Sequence, residues 1–197
     1  MAPILGIYAS QMSGHLSTNN FSSIATVTVG SGGTSTVTFS SIPSTYTHLQ
    51  LRAITRSTSS AGSSGISYGA SGFMTFNGDT GSYYNEHYLL GDGASASAGA
   101  IGTLSSMLIS DLGGPYATQT ANAYSASIID ILDYTSNTKN KTIKVLNGQD
   151  RNGAGRALLQ SGFWFNPTPQ AINSITILEG DSANFAQYST FALYGIR

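Results

Sequence analysis

Short segments in which apolar and polar residues alternate recur along this chain, and turns rich in glycine, serine and asparagine separate them. In the clearest segment, residues 46–56, Leu49 and Leu51 alternate with Gln50 and Arg52. Alternation with a period of two predicts a β-strand that has one buried face and one solvated face. No segment combines the 3.6-residue apolar periodicity of an amphipathic helix with capping residues. The chain is therefore predicted to be an all-β protein.

About ten segments of this kind, regularly spaced, predict an antiparallel β-sandwich with a jelly-roll-like arrangement. Segments 23–29 and 35–39 flank a glycine-rich stretch, which is typical of a β-hairpin. Segment 123–134 carries apolar residues at successive positions, which predicts a strand buried on both faces. The alternation over 46–56 is expected to turn His48 and Arg56 to solvent.

Charged residues make up 9% of the chain, against roughly 25% in an average protein. Because 40% of the residues are hydrophobic, a core can form, and serine, threonine, asparagine and glutamine must supply the polar surface. The net charge is −1 and no basic block occurs, which argues against nucleic-acid binding. Lys139, Lys141 and Lys144 are expected on a solvated hairpin. The absence of cysteine excludes disulfides and thiolate metal sites.

The N-terminal stretch begins with a short apolar run and then turns polar without alternation. The large apolar side chains of the run are Ile4, Leu5, Ile7 and Tyr8. The run is too short for a secretory signal, no Lys or Arg occurs before Arg52, and a membrane span would need about 20 apolar residues. We therefore expect a docking arm, residues 1–20, and one jelly-roll-like β-sandwich domain, residues 21–197, with neither signal-peptide export nor membrane insertion.

Residue types that carry catalysis are few and scattered. Asp130 and Asp133 could form the carboxylate pair of a glycosidase, but a spacing of three on a strand turns them to opposite sides of the sheet. Acidic turns at 77–79 and 91–93 have ordinary β-turn sequences. The histidines lack metal-ligand spacing; they are His15, His48 and His87. We predict no catalytic residue, no metal site and no cofactor.

Aromatic side chains are the best candidates for a binding surface, and they are Tyr83, Tyr84, Tyr88 and Trp164. The three tyrosines cluster in one extended segment. Trp164 lies between Phe163 and Phe165, so a strand must turn it to the opposite side from its neighbours. Three interpretations stay open for these rings: a subunit interface, stacking on a host glycan, or a place in the core.

Six stretches of the chain together form a recognisable pattern. They are residues 4–10, 24–29, 37–52, 76–79, 129–134 and 185–197. In these stretches the chain resembles small virion structural proteins of tailed bacteriophages, and the resemblance covers most of its length. Proteins of this group serve as tail-fibre, head-fibre or capsid-decoration components, so the resemblance brings no catalytic residue with it.

The resemblance implies a non-enzymatic protein on the virion surface, and a capsid decoration or cement protein is the role we expect. The arm then docks on other virion proteins, of the capsid or the tail, and the protein is expected to be a homotrimer. The alternative is a tail-fibre or receptor-binding module that recognises a glycan of the host surface. A glycosidase that uses Asp130 has the least support.

Overall fold

The computed structural model describes residues 20–61 and 69–197 of the 197-residue chain. These residues form twelve β-strands and no helix, which confirms the predicted all-β class. The strands are β1 (Phe21–Thr28), β2 (Thr36–Phe39), β3 (His48–Thr55), β4 (Ala70–Phe76), β5 (Tyr84–Gly91), β6 (Ala96–Leu104), β7 (Met107–Gly114), β8 (Ser125–Ile131), β9 (Lys141–Asp150), β10 (Gly155–Trp164), β11 (Ile175–Glu179) and β12 (Thr190–Ile196).

The strands form two antiparallel sheets that pack as a sandwich. The large sheet has the order β1-β12-β3-β8-β9-β10-β5-β6, and the small sheet has the order β2-β11-β4-β7. Eight strands pair as one long ribbon folded back on itself: β1 with β12, β2 with β11, β3 with β8, and β4 with β7. Successive pairs along this ribbon alternate between the two sheets, so the ribbon is rolled up as in a jelly roll. The predicted jelly-roll-like sandwich is therefore confirmed, and we call these eight strands the rolled core.

The other four strands are two local hairpins, β5–β6 and β9–β10, which are inserted into the rolled core. They continue the large sheet beyond β8 in the order β9-β10-β5-β6. Strand β7, at the edge of the small sheet, contacts β9, β10 and β5 and covers part of their inner face. We call these four strands the side extension.

The hydrophobic core fills the space between the sheets, and strand alternation supplies its residues. In β3 the inward residues Leu49 and Leu51 are fully buried, whereas Arg52 on the other face is exposed. In β9, Ile143 and Val145 point inward and Lys144 points outward, as the alternation predicts. Burial of such side chains is the main favourable term in the folding of a domain that has no disulfide.

One prediction from local sequence is wrong because the chain crosses between sheets where the sequence suggested a simple turn. Strands β1 and β2 do not form a hairpin: β1 pairs with β12 in the large sheet, and β2 pairs with β11 in the small one. Gly33, between them, has φ +72° and lies so close to Phe185 that a Cβ would fall 2.7 Å from the Phe185 carbonyl oxygen.

Two basic residues that were expected in solvent are buried. The Arg56 guanidinium enters the loop that follows β7 and donates hydrogen bonds to the carbonyl oxygens of Tyr116, Ala117, Gln119, Thr120 and Ala123. The Lys141 ammonium donates to the carbonyl oxygens of Ser136 and Lys139, each at 2.7 Å, and burial lowers the pKa of Lys141. Backbone carbonyls can satisfy a buried cation, and alternation alone cannot show this.

Candidate interaction surface

The outer face of the large sheet carries a straight row of exposed apolar side chains. Leu159 on β10 is in register with Leu89 on β5 and with Leu146 on β9, and Leu146 is in register with Ile128 on β8. Their exposed fractions are 54% for Leu89, 47% for Leu159, 54% for Leu146 and 38% for Ile128. We call these four residues the apolar band. Directly opposed side chains of neighbouring strands contact one another, so the band is one continuous surface.

The band corrects the prediction that segment 123–134 is buried on both faces. Ile129 and Ile131 are completely buried in β8, but Ile128 and Leu132 are exposed. The strand belongs to a sandwich of two layers, so only its inner face packs against the other sheet.

Small residues border the apolar band on one side. Gly91, Ala157, Gly148 and Ala126 are in register on β5, β10, β9 and β8. Because their side chains are short, a hollow of 310 Å³ forms beside Leu89, Leu146 and Leu159. The outer face is therefore shaped as a ridge with a shallow trough next to it.

Polar residues border the apolar band on the other side. His87, Ser161, Lys144, Asp130 and Gln50 follow one another in register across five strands. Lys144 Nζ lies 3.5 Å from Asp130 Oδ2, and Gln50 Nε2 donates to Asp130 Oδ1 at 2.7 Å. This polar row contains charges of both signs, so it presents no strong field of a single sign to an approaching molecule.

The small sheet has a different outer face. Thr36 and Thr38 of β2 are exposed there, and Thr38 Oγ1 lies 3.3 Å from Thr176 Oγ1 of β11. Threonine is favoured on solvated sheet surfaces, where its hydroxyl replaces an apolar contact with a polar one. Leu178, Phe73 and Leu108 are also in register on this face, across β11, β4 and β7, but each of them is half-buried. The exposed apolar row is therefore on the large sheet.

Tyr84 and Trp164 do not serve as binding aromatics, because both are buried. Their exposed fractions are 0% and 1%, and their rings stack on each other at 6.2 Å beside Phe76. Trp164 Nε1 donates to Asp79 Oδ2 at 2.8 Å, and the Tyr84 hydroxyl donates to the Asp79 carbonyl oxygen at 3.0 Å. Burial raises the pKa of Tyr84 far above its ordinary value. For this pair, the core alternative is the one that the structure supports.

The other two candidate aromatics are half-buried. Tyr83 packs against the core, and the Tyr88 ring lies against Gly99 of β6, where a Cβ would fall 2.6 Å from the tyrosine hydroxyl oxygen. The exposed rings of this region are instead Phe163 and Phe165, with centroids 6.0 Å apart. The predicted arm residues Ile4, Leu5, Ile7 and Tyr8, and also His15, lie outside the described residues.

The acidic residues considered for catalysis have separate structural partners. Asp130 contacts Lys144 and Gln50, whereas Asp133 accepts from Lys139 Nζ at 2.7 Å and its backbone N–H donates to His48 Nδ1 at 2.9 Å. Lys139 lowers the pKa of Asp133 through this hydrogen bond. Asp133 also has φ +49°, so it has left the strand and strand alternation no longer orients it. The two carboxylates thus serve the sheet and its turn separately.

A larger hollow of 590 Å³ opens at the loop end of β9 and β10, and it includes Gly91, Tyr124 and two carboxylates. Asp92 Oδ1 accepts from the backbone N–H groups of Ala94 and Ser95, and Asp150 Oδ1 accepts from those of Asn152 and Gly153. Such bonds are those of side chains that stabilise their own turns. They account for these carboxylates without a ligand.

Two groups of buried polar side chains join the side extension to β7 of the opposite sheet. Arg156 of β10 forms a two-pronged ion pair with Asp111 of β7, with Nη2 2.6 Å from Oδ1. Gln160 of β10 donates to Glu86 of β5 and to the Leu108 carbonyl oxygen of β7. Glu86 is 1% exposed, and burial raises its pKa to about 7. These groups lie inside the sandwich and are not accessible to a ligand from solvent.

In the part of the chain that the structure describes, no three His, Asp or Glu side chains are grouped closely enough to hold a metal ion. Those same residues contain no helix long and apolar enough to cross a membrane. Comparison with protein-family models, curated proteins and solved structures finds no match for this chain.

Proposed function

We propose that this chain is a non-enzymatic structural protein on the surface of a tailed-bacteriophage particle, most simply a capsid decoration or cement protein. The observation that carries the proposal is the apolar band, which offers a broad surface for contact with protein. A broad apolar face with polar borders suits protein assembly better than turnover of a small substrate, which takes place in a concave site. The resemblance to small phage virion proteins supplies the kind of assembly.

In this role, the β-sandwich is the rigid outer part and residues 1–20 attach it to other virion proteins. The resemblance implies three copies in one unit, made in the host cytoplasm and carried on the finished particle. The jelly roll supports such a role mechanically, because it pairs the first described strand, β1, with the last, β12, within one sandwich.

A tail-fibre or receptor-binding module is the second candidate, and the exposed pair Phe163 and Phe165 favours it. Exposed aromatic rings stack on the apolar faces of sugars. In this alternative the glycan contacts are made by these phenylalanines, because Tyr84 and Trp164 are buried.

Immunogold electron microscopy of purified particles tests the proposal, with an antibody raised against residues 21–197. Gold spread over the shell supports a decoration protein, and removal of residues 1–20 is then expected to abolish attachment while the domain stays folded. Gold confined to the tail supports the receptor-binding alternative. If the purified particles carry gold at neither place, both roles are overturned.

A further inference from the structure

We propose that the apolar band is the contact surface between copies of this chain, so that bands of neighbouring copies pack against one another. This inference deepens the proposed role, which calls for several copies in one unit, but it is argued from the sheet surface and tested without the particle. The occupant of the band is therefore another molecule of the same protein, in the same orientation relative to the strands.

The size of the face is the first argument. The large sheet has eight strands; at about 4.8 Å between strands and about 20 Å of each strand, its outer face projects to roughly 750 Å². A stable interface between proteins buries about 800 Å² on each partner. The outer face of one copy is thus close in size to the area that a stable contact buries on each partner. The apolar band lies on strands inside this face and not on its edge strands. Apolar anchors are expected near the centre of an interface.

The order of the rows is the second argument. When copies are related by an axis parallel to the strands, residues at the same level on the sheet meet: the apolar band meets the apolar band, and the polar row meets the polar row. Lys144 and Asp130 carry opposite charges at the same level, 3.5 Å apart, so each can also face its opposite on another copy. Each row therefore meets a row of its own kind on another copy, as it does in a closed ring of copies about such an axis.

The nature of the exposed residues is the third argument. A strongly charged partner would call for a surface of one sign, but the polar row is mixed. Leucine and isoleucine side chains, about half exposed, favour an equally apolar partner surface.

Sedimentation of the full chain tests the proposal, with matched charge insertions on the two outer faces. The variant Leu146→Glu/Leu159→Glu places unpaired carboxylates in the band, whereas Thr38→Glu places one on the small sheet, which is the control. We expect the wild type and Thr38→Glu to sediment as the same oligomer. We expect the band variant to dissociate, with its dissociation constant raised at least about 100-fold. Far-ultraviolet circular dichroism establishes that each variant keeps its strands.

Single-cysteine variants provide a second measurement that does not depend on a disruptive substitution. The chain has no cysteine, so Leu159→Cys and Thr38→Cys each give one reactive thiol. A short bismaleimide is expected to link copies of Leu159→Cys into pairs and to leave Thr38→Cys as single chains. Equal linking of both variants overturns the proposal.

Several outcomes contradict the inference. A wild-type protein that sediments as a single chain overturns it, and so does a band variant with the mass of the wild-type oligomer. If the full chain is monomeric and associates only after residues 1–19 are removed, those residues cover the band, and this result also overturns the inference. The particle location measured by immunogold is independent of all these results, so failure of the virion role and failure of the contact surface are distinguishable.

Discussion

The rolled core and the side extension are both built from strands joined by turns, but β3 of the core and β10 of the extension differ in the polarity of their outer faces. In β3 of the rolled core, buried Leu49 and Leu51 alternate with Gln50 and Arg52, which have polar partners. In β10 of the side extension, Leu158 is buried and Leu159 beside it is exposed. The same doubling occurs in β9, where buried Val145 lies beside exposed Leu146. It also reaches β8, the strand of the rolled core that borders the extension, where buried Ile129 lies beside exposed Ile128. An apolar residue at both positions of a strand indicates apolar surroundings on both faces, and the proposed contact between copies would supply the outer one.

The largest expected effect concerns the ion pair that joins the side extension to the rolled core. Asp111→Ala leaves the Arg156 guanidinium buried without its carboxylate, which is expected to lower the free energy of unfolding by about 3–5 kcal/mol. Urea denaturation measures it. The double variant Asp111→Ala/Arg156→Met is the control and is expected to lose less than the single one. A single variant as stable as the wild type would mean that the pair does not hold the extension.

The next effect is a pH dependence that originates in the extension. Glu86 has a folded pKa of about 7, above its ordinary value of 4.5, so the folded state retains a proton that the unfolded state releases at lower pH. Its contribution to stability is full below the unfolded pKa and is lost as the pH rises through the folded pKa. Between about pH 5 and about pH 8 the free energy of unfolding is expected to fall by about 2.5 kcal/mol.

The variant Glu86→Gln isolates the contribution of Glu86 to this pH dependence, because the amide does not titrate. The free energy of unfolding of the wild type, relative to that of Glu86→Gln, is expected to fall between about pH 5 and about pH 8. A constant difference would show that Glu86 is ionised in the folded protein already near pH 5. Contributions of the histidines cancel in the comparison.

A smaller effect concerns the aromatic junction between the extension and β4. The Tyr84 hydroxyl accepts from the Phe76 backbone N–H at 3.2 Å and donates to the Asp79 carbonyl oxygen. Tyr84→Phe leaves that buried N–H without a partner, at an expected cost of about 1–2 kcal/mol. Fluorescence of Trp164, which stacks on Tyr84, reports the unfolding. Tyr188→Phe, at a residue 67% exposed, is the control and should leave the midpoint unchanged.

The smallest effect distinguishes association from folding. Leu146→Ala, measured at a dilution at which the chains are separate, is expected to change the free energy of unfolding by about 0.5 kcal/mol or less. Ile143→Ala, on the inner face of the same strand, is expected to cost about 2–5 kcal/mol. Comparable costs for the two substitutions would show that the outer position contributes to the fold of the single chain.

The sequence allowed the all-β class and the jelly-roll-like sandwich to be predicted, because alternation is a local property of each strand. Partners of strands are not local: the pairing of β1 with β12 could not be read from the glycine-rich turn after β1. The burial of Arg56 and Lys141 depends on carbonyl oxygens that the fold brings from other segments. Adjacent apolar pairs such as Leu158 and Leu159 were visible, but only the observed two-layer architecture shows which member stays exposed.

For Tyr84 and Trp164, the sequence alone could not show which face of the strand meets the core. Alternation placed Trp164 opposite Phe163 and Phe165, and the structure has that arrangement. Which of the two sides meets the core depends on the position of β4 and β7 across the sandwich, and this is set by the roll. The exposed Phe163 and Phe165 and the apolar band were therefore missed as surface candidates.

The pairing of the first strand of the roll with its last also bears on the order of folding. Contacts between residues far apart in sequence form slowly, because the entropy of closing a long loop must be overcome first. Hairpins β5–β6 and β9–β10 have short connections and can form early, whereas β1 must wait for β12 to be synthesised. The leucines of the band are thus presented on local hairpins before the roll closes, and copies made close together can meet through them while still folding.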